Sequence, residues 1–366
     1  MATGNLSPQE AHRWVRIGVL SALAMLLGYA ETFIPIPIPG VKLGLANIAV
    51  LVALDGHDMS GAFAISAIKV LSTSLIFGSP LTMAYSAAGT LLAFAGMAPL
   101  SMLRSMQLPM LSIVGALLHE IGQLVVASTL LGTSVVWYLA PVLLVAGCIT
   151  GAISGFLAKG LADALPDEPR DESEYAHLQA LSEVTQSANA NKTRLNAFPP
   201  LALVAYAIAI LHVQNLAILG MLCATGLLSC ALTRVCPRDL VRSLRPMLLF
   251  AVFTCVMQLI GSPDTAAEES CRALLRLVGV ASACTAFMRF VPTRDLTALV
   301  GKLVSPLERL GLRTEGFMLA FDVAVGLLPT LSSTLKLGTI TLQSIPRLIP
   351  EIYARLEQQA LRRDDA

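Results

Sequence analysis

The chain has 366 residues, of which 55% are hydrophobic and only 13% charged, against about 25% charged in ordinary soluble domains. Lys plus Arg number 25 and Asp plus Glu 24, so there is no basic excess to attract nucleic acid. With a mean hydropathy of +0.72, these figures exclude a disordered chain and a soluble enzyme, and predict an all-α, polytopic integral membrane protein.

The first sixteen residues are polar, carry Arg13 and Arg16, and are expected as a cytoplasmic tail; Trp14 stands where an interfacial aromatic belongs. An apolar run covers Ile17 to Ile34 and ends in Pro35, Pro37, Pro39 and Gly40. Alternating prolines cannot continue a helix and favour an extended path. Further apolar segments follow at about Leu43–Leu54, Met59–Phe77, Pro80–Ala98, Pro109–Leu131 and Val135–Ala158. This gives six spans, the second short enough to need tilting, breaking or shielding by neighbours. Residues 17–158 hold only seven charges: Glu31, Lys42, Asp55, Asp58, Lys69, Arg104 and Glu120.

At Lys159 the composition changes. Residues 159–197 carry eleven charges and read as a polar cytoplasmic linker, with a short helix conceivable over Glu172–Ser187. From Phe198 a second apolar block, residues 198–366, begins. Leu201–Leu232 fits two short spans broken near Val213-Gln214-Asn215, and Pro246–Ile260, Ala273–Phe290 and Phe317–Leu335 are further candidates. Leu296–Leu310 mixes apolar residues with Lys302, Glu308 and Arg309 at helical spacing, which predicts an amphipathic helix on the membrane surface. The distribution of Lys and Arg places the N-terminus and linker inside, Lys42 outside, and the cluster Arg234, Arg238, Arg242 and Arg245 inside.

The seven cysteines (Cys148, Cys223, Cys230, Cys236, Cys255, Cys271, Cys284) form no C-x-x-C pair and no zinc spacing with His, so they read as small hydrophobes and no metal site is expected. Candidate ligand-binding residues are few. His119 and Glu120 sit near the middle of the fifth span, with Gln123 one turn later. Ionisable groups at that depth are costly and point to function; the competing reading is a polar cluster satisfied between helices. Lys69, also near mid-span, has Glu120 or Glu31 as possible partners. The stretch Pro39-Gly40-Val41-Lys42-Leu43-Gly44-Leu45-Ala46-Asn47 joins a rigid approach, two hinge-capable glycines, a cation and an amide. It suits an anion or a polar small molecule at a helix start, or else a packed re-entrant turn. Gly147, Gly151 and Gly155 are spaced for close helix approach, as are Gly18/Ala22 and Ala24/Gly28. There is no G-x-x-x-x-G-K-[ST], since Gly301-Lys302 lacks the upstream glycine and the following hydroxyl, and no G-x-S-x-G or H-E-x-x-H. No Asp-rich motif suited to magnesium diphosphate lies on a plausible helix; Asp364-Asp365 belongs to the tail. No catalytic residue and no cofactor in this chain is expected.

Residues 17–158 resemble the Gx transporter family, which also carries the label heptaprenyl diphosphate synthase component I. The resemblance rests on Glu31 with the Pro-rich turn, on Pro39 to Asn47, on Gly115, His119 and Gly122-Gln123-Leu124, and on Leu131-Gly132, Pro141-Val142-Leu143 and Gly147. It implies a six-helix substrate-binding (S) component of the energy-coupling-factor (ECF) transporter type, with the loop 35–42 as a lid and substrate near Lys42, Asn47, Gly40 and Gly44. Glu120 departs from the uncharged amide of that pattern. Residues 198–335 resemble the transmembrane coupling (T) component of the same transporters, the cobalt-permease type. This second likeness is carried by Val291-Pro292-Thr293-Arg294-Asp295-Leu296, Ser305-Pro306-Leu307, Leu310-Gly311 and Leu328-Pro329-Thr330. It implies a coupling role for Arg294, Asp295, Pro306, Arg309 and Gly311. The family's Ala-Arg-Gly motif is absent, its nearest counterpart being Ala354-Arg355-Leu356 with Arg355.

Together the two resemblances imply a multi-pass component of the inner (cytoplasmic) membrane, binding a small molecule and working with separate ABC-type ATPase subunits that hold the ATP. The alternatives are a membrane accessory subunit of polyprenyl diphosphate synthesis and a degenerate, uncoupled scaffold.

Overall fold

The computed structural model describes residues 7–31, 43–76, 80–103, 106–165, 198–261, 263–289, 300–301, 304 and 314–334. Within them the regular elements are all helical, as the composition predicts. Six helices form the first part of the chain: α1 (Pro8–Glu31), α2 (Ile48–Asp55), α3 (Met59–Ile76), α4 (Pro80–Ser101), α5 (Leu108–Leu131) and α6 (Ala140–Ala164). Five follow: α7 (Phe198–His212), α8 (Leu216–Leu232), α9 (Pro237–Gly261), α10 (Pro263–Met288) and α11 (Glu315–Thr334). Among the described residues, five helical stretches are long and apolar enough to cross a membrane: Gln9–Glu31, Leu81–Ser101, Leu108–Leu131, Ser134–Ala164 and Pro263–Met288.

The short second segment is neither broken nor exposed to lipid. A 3-10 turn at Leu45–Asn47 leads into α2, where Ile48 through Leu54 are all buried. A helix of this length reaches only about 12 Å, and its neighbours α3 and α6 shield it. The centre of the bundle is α1: 78% of its apolar window is buried, against 28% for the α6 stretch. On α6 the outward residues Val142, Val145, Ile149 and Phe156 recur at helical spacing and face the bilayer.

Helix ends follow local chemistry rather than hydropathy. The break at 213–215 arises because Asn215 caps α8, its side-chain oxygen accepting from the N–H of Ala217 at 3.0 Å and Ile218 at 3.3 Å. α9 and α10 begin earlier than their apolar stretches, at Pro237 and Pro263, because proline suits a first helical turn. α6 likewise runs past the apolar run into the charged segment, with Ala158 and Leu161 buried beneath Lys159 and Asp163. α1 starts at Pro8, within the polar opening segment. The amphipathic stretch 296–310 lies almost entirely outside the described residues, and Glu172–Ser187 wholly so.

Small residues set the tightest contacts. A Cβ added at Gly151 would fall 2.8 Å from Ile113 Cα, and one at Gly155 2.5 Å from Pro109 Cα, so α6 lies backbone to backbone against α5. Across the other face of α5, a Cβ at Gly122 would fall 2.6 Å from the Ala88 carbonyl of α4. Two apolar cores result. One joins α1, α2 and α3 to parts of α4, α5 and α6, and to Leu319, Ala320, Phe321 and Ala324 of α11. The other joins Leu81, Tyr85, Leu124, Leu130 and Leu143 to Ile210, Leu219, Phe250 and Leu277. Both cores therefore draw on the early and the late helices.

Candidate functional site

The end of α1 and the turn before α2 form the first polar cluster. Glu31, the last residue of α1, is buried, and its Oε1 accepts the backbone N–H of Gly44 at 2.7 Å. Gly44 has φ 75, the left-handed region that only glycine enters without strain, and it precedes the 3-10 turn. Three residues on, the Asn47 side-chain oxygen accepts from Lys69 Nζ of α3 at 2.6 Å. Lys69 is itself buried. One buried acid and one buried base are thus both directed at the segment Gly44–Asn47. Desolvating either charge is costly without such partners.

Two serines border the same segment. A Cβ at Gly44 would lie 3.8 Å from Ser154 Oγ of α6. Ser154 Oγ is 3.0 Å from Ser112 Oγ of α5, and both serines are buried. Nothing in the sequence singled them out: Ser154 sits inside the Gly151–Gly155 stretch, where a small hydroxyl looks like part of the packing face.

His119 and Gln123 form the second polar cluster, on α5. Their side chains meet, Gln123 Nε2 lying 3.1 Å from His119 Nε2. The ring rests on Gly89 of α4, where an added Cβ would fall 2.8 Å from Nδ1. Glu120, the next residue, points to a different neighbour: its Cγ is 3.6 Å from a Cβ built on Gly147 of α6. Hence the bonded pair His119–Gln123 faces α4 and Glu120 faces α6. Glu31 and Lys69 thus reach the same Gly44–Asn47 segment from α1 and from α3. Lys42 and Gly40 lie outside the described residues, as do Arg294, Asp295, Pro306, Arg309, Gly311 and Arg355.

A third polar contact ties the start of α1 to the α2–α3 turn. Arg13 donates from Nε to Asp58 Oδ2 at 2.9 Å and from Nη2 to Oδ1 at 2.5 Å, and also to Ser60. The Gly61 N–H adds a bond to Asp58 Oδ1 at 2.8 Å. Burial opposes the ionised form of Asp58, but the bonds from Arg13, Gly61 and Ser60 outweigh it and hold the carboxyl below its usual range.

The first cluster ties the backbone segment Gly44–Asn47 to the end of α1 and to α3. Its donors and acceptors are bound to the chain itself. Among the described residues, no three His, Cys, Asp or Glu side chains converge as metal ligands.

Residues 20–161 match the family model described as heptaprenyl diphosphate synthase component I. The matched stretch runs from within α1 to near the end of α6, under half of the chain, and contains both polar clusters. It is the family whose label the Gx resemblance of the first part carries, and the similarity is one of a membrane component of that class. No curated protein and no solved structure matches the chain.

Proposed function

We propose that the chain is a membrane transport component of the ECF type. Residues 17–158 bind a small polar molecule, residues 159–197 link, and residues 198–366 couple the binding half to separate ABC-type ATPase subunits. The observation that carries this reading is the convergence of buried Glu31 and Lys69 on Gly44–Asn47. Intramembrane charges mark solute pathways by default, and here they fix the segment directly after the Pro-rich loop. That loop, with Gly40 and Lys42, closes over the solute, while Asn47 and the Ser112–Ser154 pair line the inner side. His119, Glu120 and Gln123 shape the α4–α5–α6 wall. Arg294, Asp295, Pro306, Arg309, Gly311 and Arg355 belong to the coupling surface on the cytoplasmic face of the inner membrane. The N-terminus and the linker lie on that same face.

The test has two arms. Purified protein should retain ABC-type ATPase subunits and, in vesicles, drive ATP-dependent uptake. Lys42→Ala should lower affinity for the transported molecule about tenfold, as expected for one lost charge-assisted contact, without lowering thermal stability. Unchanged affinity would remove Lys42 from the site. The second reading, an accessory subunit of polyprenyl diphosphate synthesis, is favoured by the description of the matching family. It takes over if no ATPase associates and the protein instead supports prenyl elongation by a catalytic partner.

A further inference from the structure

Arg276 of α10 is 2% exposed, the largest fully buried side chain among the described residues. Its hydrogen-bond partners among the described residues are oxygens of neutral groups. Nη2 donates to the Val213 carbonyl at 3.1 Å and to Gln214 Oε1 at 3.3 Å. The ion pair of this stretch is made one turn earlier, by Arg272 with Glu268 at 2.5 Å, and Arg272 Nε also donates to the Gln214 carbonyl at 3.1 Å. A buried guanidinium without a carboxylate needs another source of negative potential.

Two helix ends supply it. Val213 directly follows the last residue of α7. On the other side stands Gly132, which caps α5 with φ 69 and gives its N–H to Ser128. A Cβ at Gly132 would collide with Arg276 Nη1 and lie 2.8 Å from its Cζ. The bare glycine thus forms the seat of the guanidinium. Each helix C-terminus carries roughly half a negative charge on its unpaired carbonyls, and two of them, one from each half of the chain, meet at one cation.

We propose that Arg276 is a latch fastening the second half of the chain to the C-terminal end of α5. The latch is independent of what the protein transports. It acts on the helix that carries Ser112, His119, Glu120 and Gln123, so Arg276 is a positioning residue for that helix.

The test uses the full chain with a site-specific protease sequence inserted between residues 166 and 197. The protein is purified in mild detergent, cut, and followed by gel filtration over a temperature ramp. Wild-type fragments should co-elute and separate only on heating. R276Q and G132N should each lower the separation temperature by about 5 °C or more, and R276K by less, because it keeps the charge and loses the planar fork. Asn tolerates the left-handed conformation, so G132N tests occupancy of the seat rather than backbone strain. The double variant should do no more than either single change. Additive effects, an unshifted separation temperature in G132N, or wild-type fragments that part at once would overturn the latch and leave Arg276 as a staple between α10 and the α7–α8 turn. If R276Q does not accumulate as folded protein, the cycle is run with R276K, and additivity with G132N is again the overturning result.

Discussion

The Arg13–Asp58 contact makes a statement about pH. Asp58 is held below the ordinary carboxylate range, so its contribution to stability is present above the unfolded value near 4. It is lost as pH falls through the lower folded value. Asp58→Asn should therefore lower the melting temperature at pH 7, and the gap to wild type should close as pH is taken below about 4. A gap that stays constant to pH 3 would show that the carboxylate charge is not what holds the turn. At this scale the sequence was partly legible. Glu31, Asn47 and Lys69 stand out because charges and amides are rare in apolar runs. Which of them meet depends on helix rotation, which periodicity leaves open, so the role of Glu31 as acceptor for the Gly44 N–H was not readable. Ser112 and Ser154 were invisible, since a serine among glycines in a packing face carries no mark of its own. Arg276 was also missed: one arginine in a long apolar stretch resembles a boundary until its carbonyl partners are seen.

Among elements, the α1–α11 pair leaves no room for an added side chain at Gly18. A Cβ at Gly18 would fall 2.7 Å from Val323 Cβ and 2.9 Å from the Ala320 carbonyl, and Gly316 of α11 lies against the Trp14 ring. Gly18→Leu should cost about 1–3 kcal/mol through overpacking, read as a lower melting temperature, with Gly18→Ala milder. A Leu variant as stable as wild type would mean that the helices part there without penalty. The small-residue spacing at Gly18 and at Gly147, Gly151 and Gly155 was visible in the sequence, and so was the break at 213–215, because an Asn before an apolar run is a capping signal. Helix lengths were less legible. Hydropathy marks the stretch that faces lipid, whereas the starts of α9 and α10 are set by proline, and Ala158 and Leu161 keep α6 helical into charged sequence.

For the whole molecule, the two cores decide how the parts depend on each other. α11 covers part of α1, while α10, and α9 through Phe250 against Tyr85, cover part of α4 and α5. Residues 1–165 expressed alone should therefore melt lower or associate in detergent, because the α1 face around Gly18 and the α5 face around Leu124 lose their cover. A fragment as stable and monodisperse as the full chain would show that the late helices add nothing to the early ones. The overall class was legible from composition alone, since so few charges over so long a chain leave little but membrane helices. The joint cores were not, because a polar segment between two apolar blocks reads as a boundary and says nothing of what packs across it.

The pairing of α1 with α11 also concerns how the protein is made. α1 enters the membrane early, yet the helix that seals against Gly18 is synthesised about 300 residues later, roughly 15 to 60 s afterwards at ordinary translation rates. During that interval the most buried of the candidate spans must rest its small-residue groove on lipid or on an insertion factor. α11 then has to displace that temporary cover and slide in parallel to α1, which makes the last of the described helices the one that closes the centre of the bundle.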